Sequence, residues 1–359
     1  MRPEKDATSG SGSSIMATPK FFEKIAVVGV GNPVFLYPSS TRFNSLILSK
    51  ATGNIGQVLV SALLKTGKHT ITALTRAGSK GTLPDGVKSV QVDYDNEESL
   101  VGALRGQDFL IITLAVRAPP DLHSKIVKAA AAAGVRYIMP NIYGADIRNP
   151  VQMSDALGVA AKAQLDEIES LGLSYVTLAC GTWYEWSLAL GDQWFGFQIK
   201  DRKVTFYDDG KTTVNVSTWD LCGRAVAALL SLPESGASPC LSDWKNEPLY
   251  IRSFKVSQRD MLDSLHRVLN TTDEDWTISY EPAAKRAQDG LEEFSRGLIT
   301  GMAKNLYANL FIQSREGKLE YSKGLANEVL GLPDESLDEA TKRAVEMVES
   351  GWNPLARAH

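Results

Sequence analysis

Residues 25–56 read IAVVGVGNPVFLYPSSTRFNSLILSKATGNIG and hold the two halves of one motif set apart. IAVVG (25–29) has the unbroken apolar run of a strand buried on both faces and ends in Gly29. ATGNIG (51–56) has the glycine turn that opens a helix, and the apolar spacing continues through QVLVSALLKTG to a stop at Gly67. With residues 30–50 set aside, Gly29, Gly53 and Gly56 form a GxxGxxG fingerprint between a strand and a helix. Dinucleotide binding needs that arrangement. One glycine permits the tight turn, another lets backbone approach a pyrophosphate, and the third lets helix and strand pack closely. The helix start then offers N–H groups and partial positive charge to the phosphates, with Thr52, Asn54 and Ile55 in the turn. The rival half, GVGNPV, puts Pro33 where a helix should begin and has no amphipathic segment behind it.

Residues 30–50 fit no packed element of such a fold, carrying Pro33, Pro38, Ser39, Ser40, Ser45 and Ser49. Two origins stay open. The segment is a surface loop at the strand–helix junction, where closure entropy grows slowly with length. Alternatively it is a retained intron in frame, since a valine codon begins GT and a lysine codon can end AG. If translated, it lies against the phosphate site.

Downstream, strand and helix patterns alternate through HTITALTR, SVQVDY, EESLVGALRG, DFLIITLAV, DLHSKIVKAAAAAG, VRYIMP, ALGVAAKAQLDEIESLG and LSYVTLA. Repeats of this kind with near-continuous apolar strands predict an α/β fold, a Rossmann-type doubly wound parallel sheet. Beyond Cys180 the pattern loosens into a smaller, mostly C-terminal α+β substrate-binding portion. The expected organisation is a disordered tail over 1–19, a NAD(P)-binding Rossmann domain over 20–182, and a substrate-binding portion over 183–359 interleaved with it. Within that portion KVTFYDDGKTTVNVS predicts a hairpin turning at residues 208–210, a helix starts near Asp220, and Ser257 with Asp260 has capping-box spacing.

The net charge of −4 and pI near 5.7 give no reason to expect nucleic acid or an anionic membrane as partner. Cys180, Cys222 and Cys240 lack metal-ligand spacing and make an odd number, so neither a metal site nor a disulfide scaffold is expected. No apolar run approaches the roughly 20 residues that span a bilayer. These features predict a cytoplasmic protein with a small-molecule substrate and leave its oligomeric state open.

The end of the second strand selects the nucleotide: an acid there binds the ribose hydroxyl of NAD, a base accommodates the extra phosphate of NADP. ALTRAGSK puts Arg76 at that end and Lys80 just beyond, which predicts NADPH. Asp93 and Tyr94, after the third strand, are expected beside the adenine.

With these features in place the chain resembles the NmrA-like, isoflavone reductase-like atypical short-chain dehydrogenases, and most closely the fungal CipA-like oxidoreductases. The resemblance rests on TGKHTITALTRAGS, VDYDNEESLVGALRGQDFLIITLAV, APPDLHSKIVKAAAAAGVRYIMPNIYG, ACGTWYEWSLALG, FYDDGKTTVNVSTWD and VSQRDMLDSLHRVLNTTDEDWT. It implies a lysine in the helix before the sixth strand that contacts the nicotinamide ribose or acts as general acid/base; Lys162 holds that position. In MPNIYG, Pro140 is expected at the cofactor, Asn141 at the substrate, and Tyr143 either as proton donor or as pocket lining. Where Ile142 stands, CipA-like chains tend to carry an aromatic. In CGTWYEWS, Cys180, Gly181 and Thr182 are expected to border the nicotinamide, with Trp183, Tyr184 and Trp186 walling an apolar pocket. The Tyr-x-x-x-Lys pair of typical short-chain dehydrogenases occurs once, as Tyr207 and Lys211, in a turn where it lacks the helical geometry that chemistry needs.

Three functions are consistent with these residues. The leading one is an NADPH-dependent reductase of a small, aromatic or polyketide-like metabolite. The others are a non-catalytic NADP(H)-sensing regulator and a non-redox isomerase or cyclase on the same fold.

Overall fold

The computed structural model describes residues 21–29, 34–35, 48–49, 54–76, 83–115 and 118–352. The expectations on the tail, on most of residues 30–50, and on Thr52, Gly53 and Lys80 lie outside the described residues. Within the insertion, Val34–Phe35 pairs antiparallel with Leu48–Ser49.

Six strands and four helices follow one another as the apolar spacing predicts: β1 (Lys24–Val28), α1 (Asn54–Lys65), β2 (Thr70–Arg76), β3 (Lys88–Val92), α2 (Glu97–Leu104), β4 (Phe109–Ile112), α3 (Leu122–Ala133), β5 (Tyr137–Met139), α4 (Ala156–Ser170) and β6 (Ser174–Ala179). All six strands are parallel, in the order β3-β2-β1-β4-β5-β6. Along β1 the side chains alternate between faces. Ile25 and Val27 pack toward α1, while Ala26 and Val28 pack toward α2, α3 and α4. Side-chain caps fix where helices start: Asn96 accepts the Ser99 N–H before α2, and Asp155 accepts the Gly158 N–H before α4.

The chain then runs through β7 (Thr182–Trp183), β8 (Lys203–Tyr207), β9 (Thr213–Ser217) and α5 (Trp219–Leu230). It returns as β10 (Glu247–Tyr250), a seventh parallel strand beside β6. Helix α5 packs on α1, so the face of the sheet above β1 is completed by residues far downstream. The close approach is made at Gly223, where an added Cβ would stand 3.0 Å from Val58 Cγ1 and 3.1 Å from Ala62 Cβ. Further along the chain come β11 (Phe254–Ser257), α6 (Gln258–Leu269), β12 (Thr277–Glu281), α7 (Ala283–Ser295), α8 (Ile299–Arg315) and α9 (Leu337–Glu349). The Ser257–Asp260 capping box at α6 forms as its spacing predicts.

The hairpin expected over 203–217 does not form. The turn is present, with Asp208 at φ +54° and Gly210 at φ +73°, but its two strands part company. β8 pairs in parallel with β12, and β9 pairs with β11 and β7. Arg286 anchors this region: it is buried, bonded to Asp192 at 2.7 Å and Glu281 at 2.9 Å, and stacked 4.7 Å from the Tyr207 ring.

Replacing Gly223 by leucine should force α5 off α1 and destabilise the fold by about 1–3 kcal/mol, read as a lower denaturant midpoint at unchanged slope.

Candidate active site

Doubly wound sheets bind ligands outside the carboxyl ends of their strands, where the strand order reverses; here that point lies between β1 and β4. Three pieces of backbone converge on it. Gly29 follows β1 with φ +92°, and an added Cβ would stand 2.1 Å from the Thr113 carbonyl oxygen. Gly56, in the first turn of α1, comes so close that a Cβ would stand 2.6 Å from Thr113 Oγ1. Thr113 ties the three together, its backbone N–H (2.9 Å) and hydroxyl (2.8 Å) both donating to the Val28 carbonyl. Among the described residues, backbone of β1, β4 and the start of α1 thus meets with no Cβ at Gly29 or Gly56, the kind of close approach a pyrophosphate site uses. Ile55 is buried, and Asn54 begins the helix. Thr113 was not singled out from the sequence; its only signal was a hydroxyl interrupting the apolar run FLIITLAV.

On the β2–β3 side, Arg76 ends β2 with an exposed side chain and no acidic partner among the described residues. Tyr94 donates its hydroxyl to the Leu74 carbonyl at 3.3 Å. Burial pushes that phenol up to about 12, against the opposing charge of Arg76. Asp93 lies exposed just past β3, its Oδ1 accepting the Asp95 N–H.

On the β5–β6 side, residues past the strand ends knit into one layer. Pro140 is buried and its carbonyl accepts the Ile142 N–H at 2.7 Å; Asn141 Nδ2 donates to the Leu114 carbonyl at 3.2 Å. The Gly144 N–H bonds the Leu178 carbonyl at 2.8 Å, and the Gly181 N–H bonds the Gly144 carbonyl at 3.2 Å. The Tyr143 hydroxyl donates to the Ile112 carbonyl at 2.9 Å, and burial pushes its pKa well above the usual phenol range. Ile142 is buried against α3 and α4.

Lys162 stands apart from Tyr143. Its side chain is 64% exposed on α4, and Nζ holds Asp166 one helical turn on, at 2.6 Å to Oδ2. Cys180 is wholly buried beside Cys222. Thr182 and Trp183 form β7, and Thr182 Oγ1 has no partner among the described residues. Trp183 and Trp186 meet Trp219 at 6.2 and 5.8 Å between ring centroids, and Trp352 closes on Trp186 at 5.3 Å. Tyr184, expected on the pocket wall, is instead fully buried in the C-terminal core, bonded to Thr341 Oγ1 at 2.7 Å. It opens a short helix, Tyr184–Ala189, and shares that helix's inward face with Leu188. Tyr207 ends β8 with its hydroxyl on the Trp194 carbonyl at 2.6 Å, so the Tyr-x-x-x-Lys spacing has no helix under it. A polar groove of about 600 Å³ between Asp208, Lys211, Lys255 and Arg315 shares no residue with this edge.

Residues 51–189 match the family described as NAD(P)H-binding. Over 302 residues the chain is 28% identical to oxidoreductase aprR of Aspergillus flavus, spanning 82% of this chain and 96% of that protein. In structure it is similar to an isoflavone reductase (TM-score 0.64, 20% identity, 90% of this chain and 99% of the other). It is also similar to an NADPH-dependent quinone oxidoreductase of Escherichia coli complexed with NADPH (TM-score 0.60, 20% identity, 89% and 99%).

Gly56→Ala should lower NAD(P)H affinity about tenfold or more by pushing α1 off Thr113, measured by titrating nucleotide fluorescence. Adding Thr113→Ala, which removes the obstructing oxygen, should restore part of the loss. Equal affinity in the single variant and the parent would count against that close approach.

Proposed function

We propose that this NAD(P)H-dependent oxidoreductase, which is similar to the isoflavone reductase-like, NmrA-like group, is an NADPH-dependent reductase of a small, aromatic or polyketide-like metabolite. The observation that carries the choice of nucleotide is Arg76, a cation without an acidic partner among the described residues, at the strand end where an NAD site carries an acid. The quinone reductase whose fold this chain shares is named as NADPH-dependent, which supports the same reading. NADPH, when bound, supplies a hydride to an electron-poor carbon of the substrate.

The chain's own residues divide the remaining work. Gly29, Gly56 and the first turn of α1 hold the pyrophosphate, and Arg76 takes the extra phosphate. Asp93 and Tyr94 border the adenine. Pro140, Asn141, Gly181 and Thr182 frame the nicotinamide end, with Trp183 and Trp186 as the apolar wall. Lys162 donates the proton. To do so it leaves Asp166, a cheap exchange, since exposed pairs at this spacing contribute only about 0.3–0.5 kcal/mol. Tyr143 positions the layer through the Ile112 carbonyl and keeps its proton.

Lys162→Ala should lower kcat at least about tenfold with NADPH affinity unchanged, while Asp166→Asn should leave kcat within about twofold. Arg76→Glu should weaken NADPH binding at least about tenfold and NADH binding far less. An unchanged NADPH-to-NADH ratio in Arg76→Glu sinks the nucleotide assignment. Intact NADPH binding with no oxidation by any quinone or enone acceptor would mark a nucleotide sensor instead.

A further inference from the structure

Burying a cation without a counter-ion is costly, so half-buried arginines are normally paired with carboxylates. The described residues follow that rule with one exception. Arg224 pairs with Glu335, Arg259 with Asp263 and Asp273, Arg286 with Asp192 and Glu281, and Arg343 with Glu185. Arg252 is half-buried too, and among the described residues its guanidinium has a single partner, the amide oxygen of Asn215 at 3.1 Å.

Its position gives the missing charge a meaning. Arg252 follows β10, whose neighbour Ile251 donates its N–H to the Ala179 carbonyl at the end of β6. The residue is therefore on the same carboxyl edge as Cys180 and Gly181. Gly181 packs directly on the Asn215 backbone, where an added Cβ would stand 2.1 Å from the carbonyl oxygen. Four strand spacings, about 19 Å, separate β10 from β1, so the cofactor phosphates do not supply the anion.

A second group points the same way. Tyr321 packs on the Tyr250 ring at 4.9 Å, and its hydroxyl is buried with no partner among the described residues. Burial raises its pKa, and the charge of Arg252 acts in the opposite direction. Asp146 is a nearby buried acid whose Oδ2 has no hydrogen-bond partner among the described residues. Its Oδ1 accepts from the Tyr250 hydroxyl at 2.9 Å and the Arg148 N–H at 2.8 Å, and it forms no ion pair with Arg252.

We infer that Arg252 and Tyr321 form the anion-receiving end of the substrate pocket, and that the substrate carries an acidic oxygen, a carboxylate or an ionised phenol or enol. Asn215 holds the guanidinium in register, and the Tyr321 hydroxyl donates to the same oxygen once the ligand provides it. The inference rests on the reading that the β5–β6–β10 edge is the substrate end of the site.

Benzoate and its neutral analogue benzamide test it, added to the protein saturated with NADPH and followed by thermal melting. Benzoate should raise Tm and benzamide should not. Arg252→Met should abolish the benzoate shift yet melt no lower than the parent without ligand, because it removes an unpaired cation. Arg343→Met, which breaks a paired one, should melt lower. Tyr321→Phe should weaken benzoate about tenfold. An unresponsive parent, a benzoate shift retained in Arg252→Met, or an Arg252→Met protein as destabilised as Arg343→Met each overturns the assignment. The NADPH shift from the same melts reports separately: its loss with benzoate binding intact defeats the cofactor reading alone. A phenol series of graded acidity distinguishes carboxylate from phenolate.

Discussion

The contact between Gly29, Thr113 and Gly56 governs the rest of the structure. Two parallel strands and a helix start can meet there only because two of the three positions lack a side chain and the third turns its hydroxyl inward onto Val28. This approach sets the height of α1 above the sheet, and α1 in turn seats α5. Residues 29, 76, 113, 141 and 181 all stand at or just past the carboxyl ends of neighbouring strands, the edge on which doubly wound sheets bind their ligands.

Much of this was legible in the chain. The sheet followed from apolar strands between helical periods, and its order agrees with the glycine turn after β1. The place of Arg76 at the end of β2 was readable from the apolar run that precedes it. What escaped had long-range causes. Thr113 looks like any residue of an apolar strand until the fold sets it against two glycines. The turn at 208–210 reads as a hairpin because local spacing carries no information about β12 or β11, which capture its two arms. Tyr184 sits in an aromatic run, and only the phase of a six-residue helix sends it into the core while its neighbours Trp183 and Trp186 face the tryptophan cluster.

Charge is handled differently in the two portions. Away from the sheet edge, the C-terminal portion closes its desolvated arginines with carboxylates, such as Glu335 across from Arg224 and Glu185 across from Arg343. Such pairs fix geometry more than they stabilise, since each ion loses its hydration on burial. The sheet edge does the reverse, with Arg76 on one side and Arg252 on the other left without acids among the described residues. The two open cations lie on opposite sides of the reversal in strand order.

Because β10 enters the sheet beside β6, the outermost pairing of the nucleotide-binding half comes from a segment synthesised some seventy residues later. Until that segment emerges from the ribosome, β6 presents a bare row of N–H and C=O groups, the surface on which nascent chains stick to one another. A shortened polypeptide ending after residue 182 keeps that edge permanently and should precipitate rather than persist as a free-standing nucleotide-binding module.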